Sequence, residues 1–283
     1  FRSKVPLVCA RGMVSAVQQD SLRTLNGPLW IVGCGAMAGA MLSRWLATGM
    51  EAASVTVIDP ALPVFAGVLA VATLPDEAPP AMLMLGVKPQ MLGDLAPVVG
   101  RAVGPETVVL SILAGIRHAT LVEAFPQAAQ MVRVMPNLPV VIGEGAVALH
   151  APGAGRADVT ALMAPLGLVE WIDDEGQFDA VTALSGSGPA FVYRFAQALA
   201  EGGAALGLSP DLANRLARAT VAGAASLAKA SPEPLGTLAD RVASKGGSTR
   251  VGLDVLDEGA ALATLVAAAL KAAETRNREL GKA

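Results

Sequence analysis

Residues 31–38 read Ile-Val-Gly-Cys-Gly-Ala-Met-Ala, which sets small residues at G-x-G-x-x-A spacing behind an apolar run and ahead of a helical one. In that setting each small residue has its own task. Gly33 permits a tight turn, Gly35 lets backbone approach a pyrophosphate, and Ala38 lets the helix lie close on the strand. Cys34, Ala36 and Met37 complete the turn, where N–H groups and the positive end of a helix would face phosphates. An ordinary strand-to-helix turn could use the same residues, but the flanks on both sides favour a dinucleotide site. Asp59 ends the second apolar run, where a carboxylate would accept ribose hydroxyls. No Lys or Arg follows it before Lys88. A phosphate on that ribose would therefore meet uncompensated negative charge, which favours NADH over NADPH. The alternative for Asp59 is a turn cap beside Pro60.

Other candidates follow later strands. Val87, Lys88 and Pro89 come after the fourth apolar run, where Lys88 could meet the cofactor, a substrate carboxylate or only water. Ile112, Leu113 and Ala114 close the fifth run with a small-residue loop suited to a nicotinamide, or with a simple turn. The run 135–139 holds Asn137 in a rigid proline turn, a structural rather than catalytic setting. Two glycine clusters stand out in the second half. Residues 185–189 break a helical stretch, for close backbone packing or for proximity to a substrate. Ser244, Lys245, Gly246, Gly247, Ser248 and Thr249 can offer several N–H groups and three hydroxyls to one anion, with the dipole of a following helix behind them. A flexible linker is the alternative there.

His118 and His150 are the only imidazoles, neither has a neighbour at ligand spacing, and both read as surface or strand-end residues. Metal catalysis and a Ser/His/acid triad thus lack their parts. Cys34 reads as a turn filler, and Tyr193, the single tyrosine, as a core residue of an apolar helix. Such scarcity of acids and bases suits reduction of an imine that is already protonated, which needs orientation, an anchor for an acid group and a dry hydride path. The net charge of −3 provides no basic field for nucleic acid or an anionic membrane. Two cysteines without framework or zinc spacing fit a reducing, cytoplasmic compartment. No window is apolar enough for a transmembrane helix, so a soluble protein acting on a small molecule is expected.

The elements that must position these residues alternate. Apolar runs at 29–33, 55–59, 68–72, 82–86, 108–113, 131–135, 146–150 and 169–173 suit strands buried on both faces, with helices expected at 37–48, 90–102, 119–125 and 156–165. This is an α/β pattern: a Rossmann-like dinucleotide-binding domain over 29–173, followed by an all-helical domain over 174–283. Residues 60–67 are too few for a helical crossover, which needs about a dozen. A bare loop is expected there. Ser209, Pro210 and Asp211 start a helix reaching about Lys229, and a last helix over 260–280 begins too apolar to face water, so it should bury against a partner chain. Residues 1–28 read as a leader, partly vector-derived or disordered, with native sequence starting at Met13.

Together the stretches GCGAMA, GVKP, SILAG, RVMPNLPVVIGEGA, DAVTALSGSGPAFVY and DRVASKGGSTRVGLDVLDEG, with the TRNREL tail, resemble the pyrroline-5-carboxylate reductase family. The resemblance implies NAD(P)H-dependent reduction of 1-pyrroline-5-carboxylate to L-proline in proline biosynthesis, by a helical homodimer that can assemble into a ring of dimers. Carried over by position, residues 33–38, Lys88 and 112–114 would contact the cofactor. Gly246, Gly247, Ser248 and Thr249 would hold the substrate, Thr249 near the ring nitrogen, and Glu175 matches an acidic position near that site. The chain departs from the family at Lys245, where Pro is usual, at Arg241 for Asn, and at Leu138 for Thr. A related cyclic imino acid could therefore be accepted. Two other readings remain: a hydroxy-acid dehydrogenase, which would want a Lys or His that stretch 178–206 lacks, and a non-catalytic dinucleotide-binding scaffold.

Overall fold

The computed structural model describes residues 27–153 and 155–280; the expected leader falls almost wholly outside them. Among the described residues eight strands form one sheet: β1 Leu29–Val32, β2 Val55–Ile58, β3 Leu69–Val71, β4 Met82–Leu85, β5 Val108–Ser111, β6 Gln130–Met135, β7 Gly145–His150 and β8 Gly167–Trp171. All eight apolar runs of the sequence are strands. Their order is β3-β2-β1-β4-β5-β6-β7-β8. Pairing is parallel except between β6 and β7, where Arg133 lies opposite His150.

The apolar runs sort by parity, since successive strand residues point to opposite faces. Leu29, Ile31, Val55, Val57, Met82 and Met84 pack one face with Met41, Leu42 and Trp45 of α1 (Ala36–Ala47) and with Val159, Leu162 and Met163 of α4 (Ala157–Met163). Trp30, Val32, Leu83, Leu85 and Val109 pack the other with Leu92 and Val99 of α2 (Leu92–Val99) and Leu121 of α3 (His118–Ala124). The Trp45 indole N–H donates to the Leu162 carbonyl at 2.7 Å, so this buried indole leaves no polar atom unmet.

The chain passes from β2 to β3 through a bare loop, as its length dictates. Phe65 from that loop packs into the α1 side of the core, beside Gly39. One aromatic thus does part of the covering that a crossover helix would do.

After β8 the chain forms α5 (Phe178–Val181), and the first compact unit ends at Val181. A second unit, Thr182–Glu279, is helical. It opens with a π turn, Thr182–Gly186, and continues as α6 Gly188–Ala205, α7 Pro210–Ala230, α8 Leu235–Val242, α9 Ser248–Asp257 and α10 Ala261–Leu280. The Ser209 side chain accepts the Leu212 N–H at the start of α7, as the Ser-Pro-Asp signal requires. The Ser187 N–H reaches back to the Thr182 carbonyl at 3.1 Å, so the glycine cluster at 185–189 widens a helical turn instead of ending one.

Among its described residues this unit buries only Ala183, Ala213 and Ala217. Tyr193, expected in a core, is 63% exposed, in company with Phe191, Val192 and Phe195 on α6. The reason is that α6 and α7 approach through small side chains, Gly203 against Ala213, which leaves the large ones pointing away. No described helix is long and apolar enough to cross a membrane.

Candidate functional site

The chain runs β1-β2-β3 on one side of β1 and returns to β4 on the other side, so the carboxyl ends of β1 and β4 flank the point where an open parallel sheet binds ligands. Gly33 sits there at φ +82, a conformation that favours glycine. A Cβ on it would lie 2.5 Å from Val87 Cγ1 and 2.8 Å from Val87 N. Gly86 faces it from β4, where a Cβ would meet the Gly33 carbonyl at 2.4 Å and Ala38 Cβ at 3.0 Å. Gly33, Gly86 and Ala38 are therefore small because protein packs on them. Gly35 differs: apart from its chain neighbours, a Cβ there would meet no atom of the described residues within 4 Å. Gly35 is also the N-cap of α1, which has no capping side chain and no acidic residue in its first turn. The first N–H groups of α1, at Ala36, Met37 and Ala38, are thus uncapped by side chains beside open space, and this fits a dinucleotide pyrophosphate.

Asp59 follows β2 and is engaged by its own chain. Its Oδ2 accepts the Cys34 N–H and its Oδ1 accepts the Ala61 N–H, both at 2.8 Å. The carboxylate thus braces the glycine turn from the adjoining strand, a partner that sequence distance did not reveal. Burial, with the Asp59 carboxylate second, pushes the Cys34 thiol up to about 11. Thiolate is the reactive form, so Cys34 should resist iodoacetamide at pH 7.5, read by peptide mass mapping. Rapid labelling would contradict this setting.

Val87, Lys88 and Pro89 follow β4, with Lys88 exposed, while Ile112, Leu113 and Ala114 follow β5. The ladder runs on into these loops, through Gly86 N–H to the Val32 carbonyl at 2.8 Å and Ile112 N–H to the Leu85 carbonyl at 3.1 Å. The expected cofactor residues therefore share the carboxyl edge of four neighbouring strands. Asn137 is structural in its visible contact, its Oδ1 accepting the Ala146 N–H at 2.9 Å across the turn into β7.

A polar cluster that sequence reading did not assemble lies elsewhere in this unit. Arg133 of β6 is buried and reaches Glu175 Oε1 with Nη1 at 2.7 Å, its guanidinium 4.4 Å from the Phe178 ring centroid. Glu175 Oε1 also accepts the His118 N–H at 2.6 Å. His150, buried at the end of β7, sets its Nδ1 2.8 Å from the Ile172 carbonyl and its ring edge-on to His118. The available signal was an arginine inside the apolar run of β6, since a buried charge requires a partner.

Burial alone would raise the Glu175 carboxyl, but the His118 N–H and Arg133 hold it below its ordinary value. Burial pushes His118 down, with a Met131 backbone hydrogen bond opposing part of that. Both folded values lie below the unfolded ones, so the stability they carry is present above the unfolded values and is lost on acidification. The melting temperature should therefore begin to fall below about pH 6.5 through His118, and fall further below about 4.5 through Glu175. In His118→Gln the first decline should disappear. A His118→Gln curve superimposable on the wild type would remove His118 from this account.

In the helical unit, the loop between α8 and α9 carries Ser244, Gly246, Gly247, Ser248 and Thr249 in one turn. The Gly247 N–H donates to the Ser244 carbonyl at 2.9 Å, with Gly246 at φ +72. Gly247 is the N-cap of α9, which has no side-chain cap, so Ser248 and Thr249 stand in a first turn that lacks one. Lys245 is exposed. Arg250, not singled out in the sequence, pairs with Asp254 at 2.9 Å, Asp240 at 3.2 Å and Asp257 at 3.3 Å, tying α8 to α9 across the loop. Spacings of four and seven to the later two carboxylates were the sequence signal for that helix face. Among the described residues no group of three His, Cys, Asp or Glu stands close enough to hold a metal.

Residues 175–280 match the family model described as pyrroline-5-carboxylate reductase dimerisation. The pyrroline-5-carboxylate reductase of Pseudomonas aeruginosa is 35% identical over 266 residues, 89% of this chain and 96% of that protein. The one from Synechocystis is 36% identical over 267 residues, 90% and 98% of the two chains. Among solved structures, a pyrroline-5-carboxylate reductase from Coxiella burnetii superposes with TM-score 0.81 at 28% identity, covering 90% of this chain and 98% of that one. The Plasmodium falciparum pyrroline carboxylate reductase with NADP bound gives 0.77 at 26% identity, covering 90% and 98%. With relatives 35% and 36% identical matched over 96% and 98% of their length, this chain belongs to the pyrroline-5-carboxylate reductase family.

Proposed function

We propose that the chain reduces 1-pyrroline-5-carboxylate to L-proline with NAD(P)H, the sheet domain (29–173) holding the dinucleotide and the helical domain (174–283) holding the imino acid and a second copy. The observation that carries this reading is the glycine turn, where Gly35 and the uncapped start of α1 leave room and N–H donors for a pyrophosphate. When bound, the reduced nicotinamide supplies the hydride for the imine carbon. Gly33, Cys34 and Ala36 to Ala38 shape the phosphate turn, with Val87 to Pro89 and Ile112 to Ala114 along the same edge. The first-turn N–H groups of α9 take the substrate carboxylate, and the Thr249 hydroxyl oxygen accepts a hydrogen bond from the protonated ring nitrogen. Orientation by these groups suffices because a protonated imine is already electrophilic. Lys245 adds positive charge beside a carboxylate site and so favours an acid substrate.

Asp59 favours NADH, because a ribose phosphate would face its carboxylate with no nearby cation before Lys88. A lower KM for NADPH than for NADH would overturn that preference. For the reaction itself, Thr249→Ala should lower kcat/KM for 1-pyrroline-5-carboxylate by roughly ten- to a hundredfold while NADH affinity holds. Unchanged kinetics would take Thr249 out of the site, and no turnover by the wild type with either cofactor would sink the reaction.

A further inference from the structure

The loop 112–117 leaves β5 and enters α3 at His118, and its two ends are fixed by different means. At the start, the sheet ladder holds Ile112 through the Leu85 carbonyl. At the end, the acceptor for the His118 N–H is Glu175, 57 positions further along the chain. Local capping is not used, since Arg117 at the N-cap position makes no side-chain cap. Glu175 is itself fixed twice. Arg133, 6% exposed, holds its Oε1, and the Asp174 side chain accepts the Gly176 N–H at 2.8 Å to set the turn that carries it. A buried ion pair is weak evidence for stability, because desolvation offsets the attraction. What it does supply is a fixed geometry at the atom it holds.

We infer that Glu175 is a positioning residue for the dinucleotide: through the His118 N–H it fixes the exit of loop 112–117, with Arg133 fixing Glu175 in turn. The inference rests on reading residues 112–114 as cofactor contacts. Glu175, which lies in the first compact unit, then serves the reaction through the cofactor loop.

The test uses the full-length protein, NADH titration by fluorescence, steady-state kinetics with 1-pyrroline-5-carboxylate, and thermal melting. Glu175→Leu removes the acceptor and should raise both Kd and KM for NADH about tenfold, the size of one charge-assisted hydrogen bond, with KM for the imino acid within about twofold. Glu175→Gln keeps a neutral acceptor and should shift NADH binding by only about threefold. Arg133→Met/Glu175→Leu leaves no buried charge unpaired, so its melting temperature should return toward the wild type while Kd for NADH stays raised. If Kd recovers together with the melting temperature in the double variant, the pair is structural only and the inference fails. It fails also if Glu175→Gln raises KM for the imino acid and leaves NADH binding untouched, since Glu175 would then contact substrate. The NADH titration reads the inference even where the proposed reaction is absent, so the two can fail separately.

Discussion

Gly33→Ala should abolish measurable NADH binding and destabilise the chain by several kcal/mol, whereas Gly35→Ala should weaken NADH binding and leave the melting temperature nearly unchanged. The two glycines lie two residues apart and differ in what surrounds them. At Gly33 the left-handed backbone, φ +82, costs an alanine about 1–2 kcal/mol. The new methyl would also stand 2.8 Å from Val87 N and 3.0 Å from Gly86 C, and backbone atoms of the adjoining strand loop cannot rotate away. The turn must open, and the cofactor edge opens with it. Gly35 has φ −69 and ψ −169, allowed for alanine, and open space around its missing Cβ. Its alanine variant should fold within about 1 kcal/mol of the wild type, and stiffening of the unfolded chain can favour it. The methyl would nonetheless occupy the approach of the pyrophosphate, so NADH affinity should fall by at least about tenfold. Melting curves and NADH titration on the pair separate folding from binding. A Gly35→Ala protein with wild-type affinity would refute the phosphate reading of this turn.

The second large effect is expected from Leu265→Asp. Leu265 of α10 is 69% exposed and Val266 is 45% exposed, on a unit that buries only three alanines of its own. Three buried alanines contribute little hydrophobic stabilisation, and the matching family region is described as a dimerisation region. Burying one leucine contributes about 1.5–3 kcal/mol, and a two-fold interface uses each residue twice. Burying a carboxylate costs more. Leu265→Asp should therefore weaken self-association by roughly a thousandfold. Sedimentation velocity reads the monomer, and activity measured against protein concentration reads the consequence. A variant that sediments as the wild type would exclude this face of α10 from the interface.

Much of this was legible in the residues because it depends on neighbours in sequence. The eight strands follow from apolar runs short enough to be buried strands, the bare crossover from residues 60–67, and the start of α7 from Ser209 and Pro210. The glycine turn and the loop at 244–249 announced themselves because backbone that must turn tightly or approach a ligand tolerates little but glycine there. What the chain could not announce are pairings that exist only once distant segments meet. Strand order and the single antiparallel pair put Arg133 opposite His150, and the fold then brings Glu175 to Arg133 across 42 positions. Asp59 shows the same limit, since the sequence marked it for a ribose and the sheet gave it the Cys34 N–H as well. Tyr193 and its neighbours looked like core because they are apolar, and periodicity does not say whether a core belongs to one chain or two. Sequence by itself determined where backbone turns and which faces shun water, because both are local chemistry. Only the tertiary structure decided which charge meets which partner and which apolar face remains for another molecule, because those follow from the order in which the strands and helices come together.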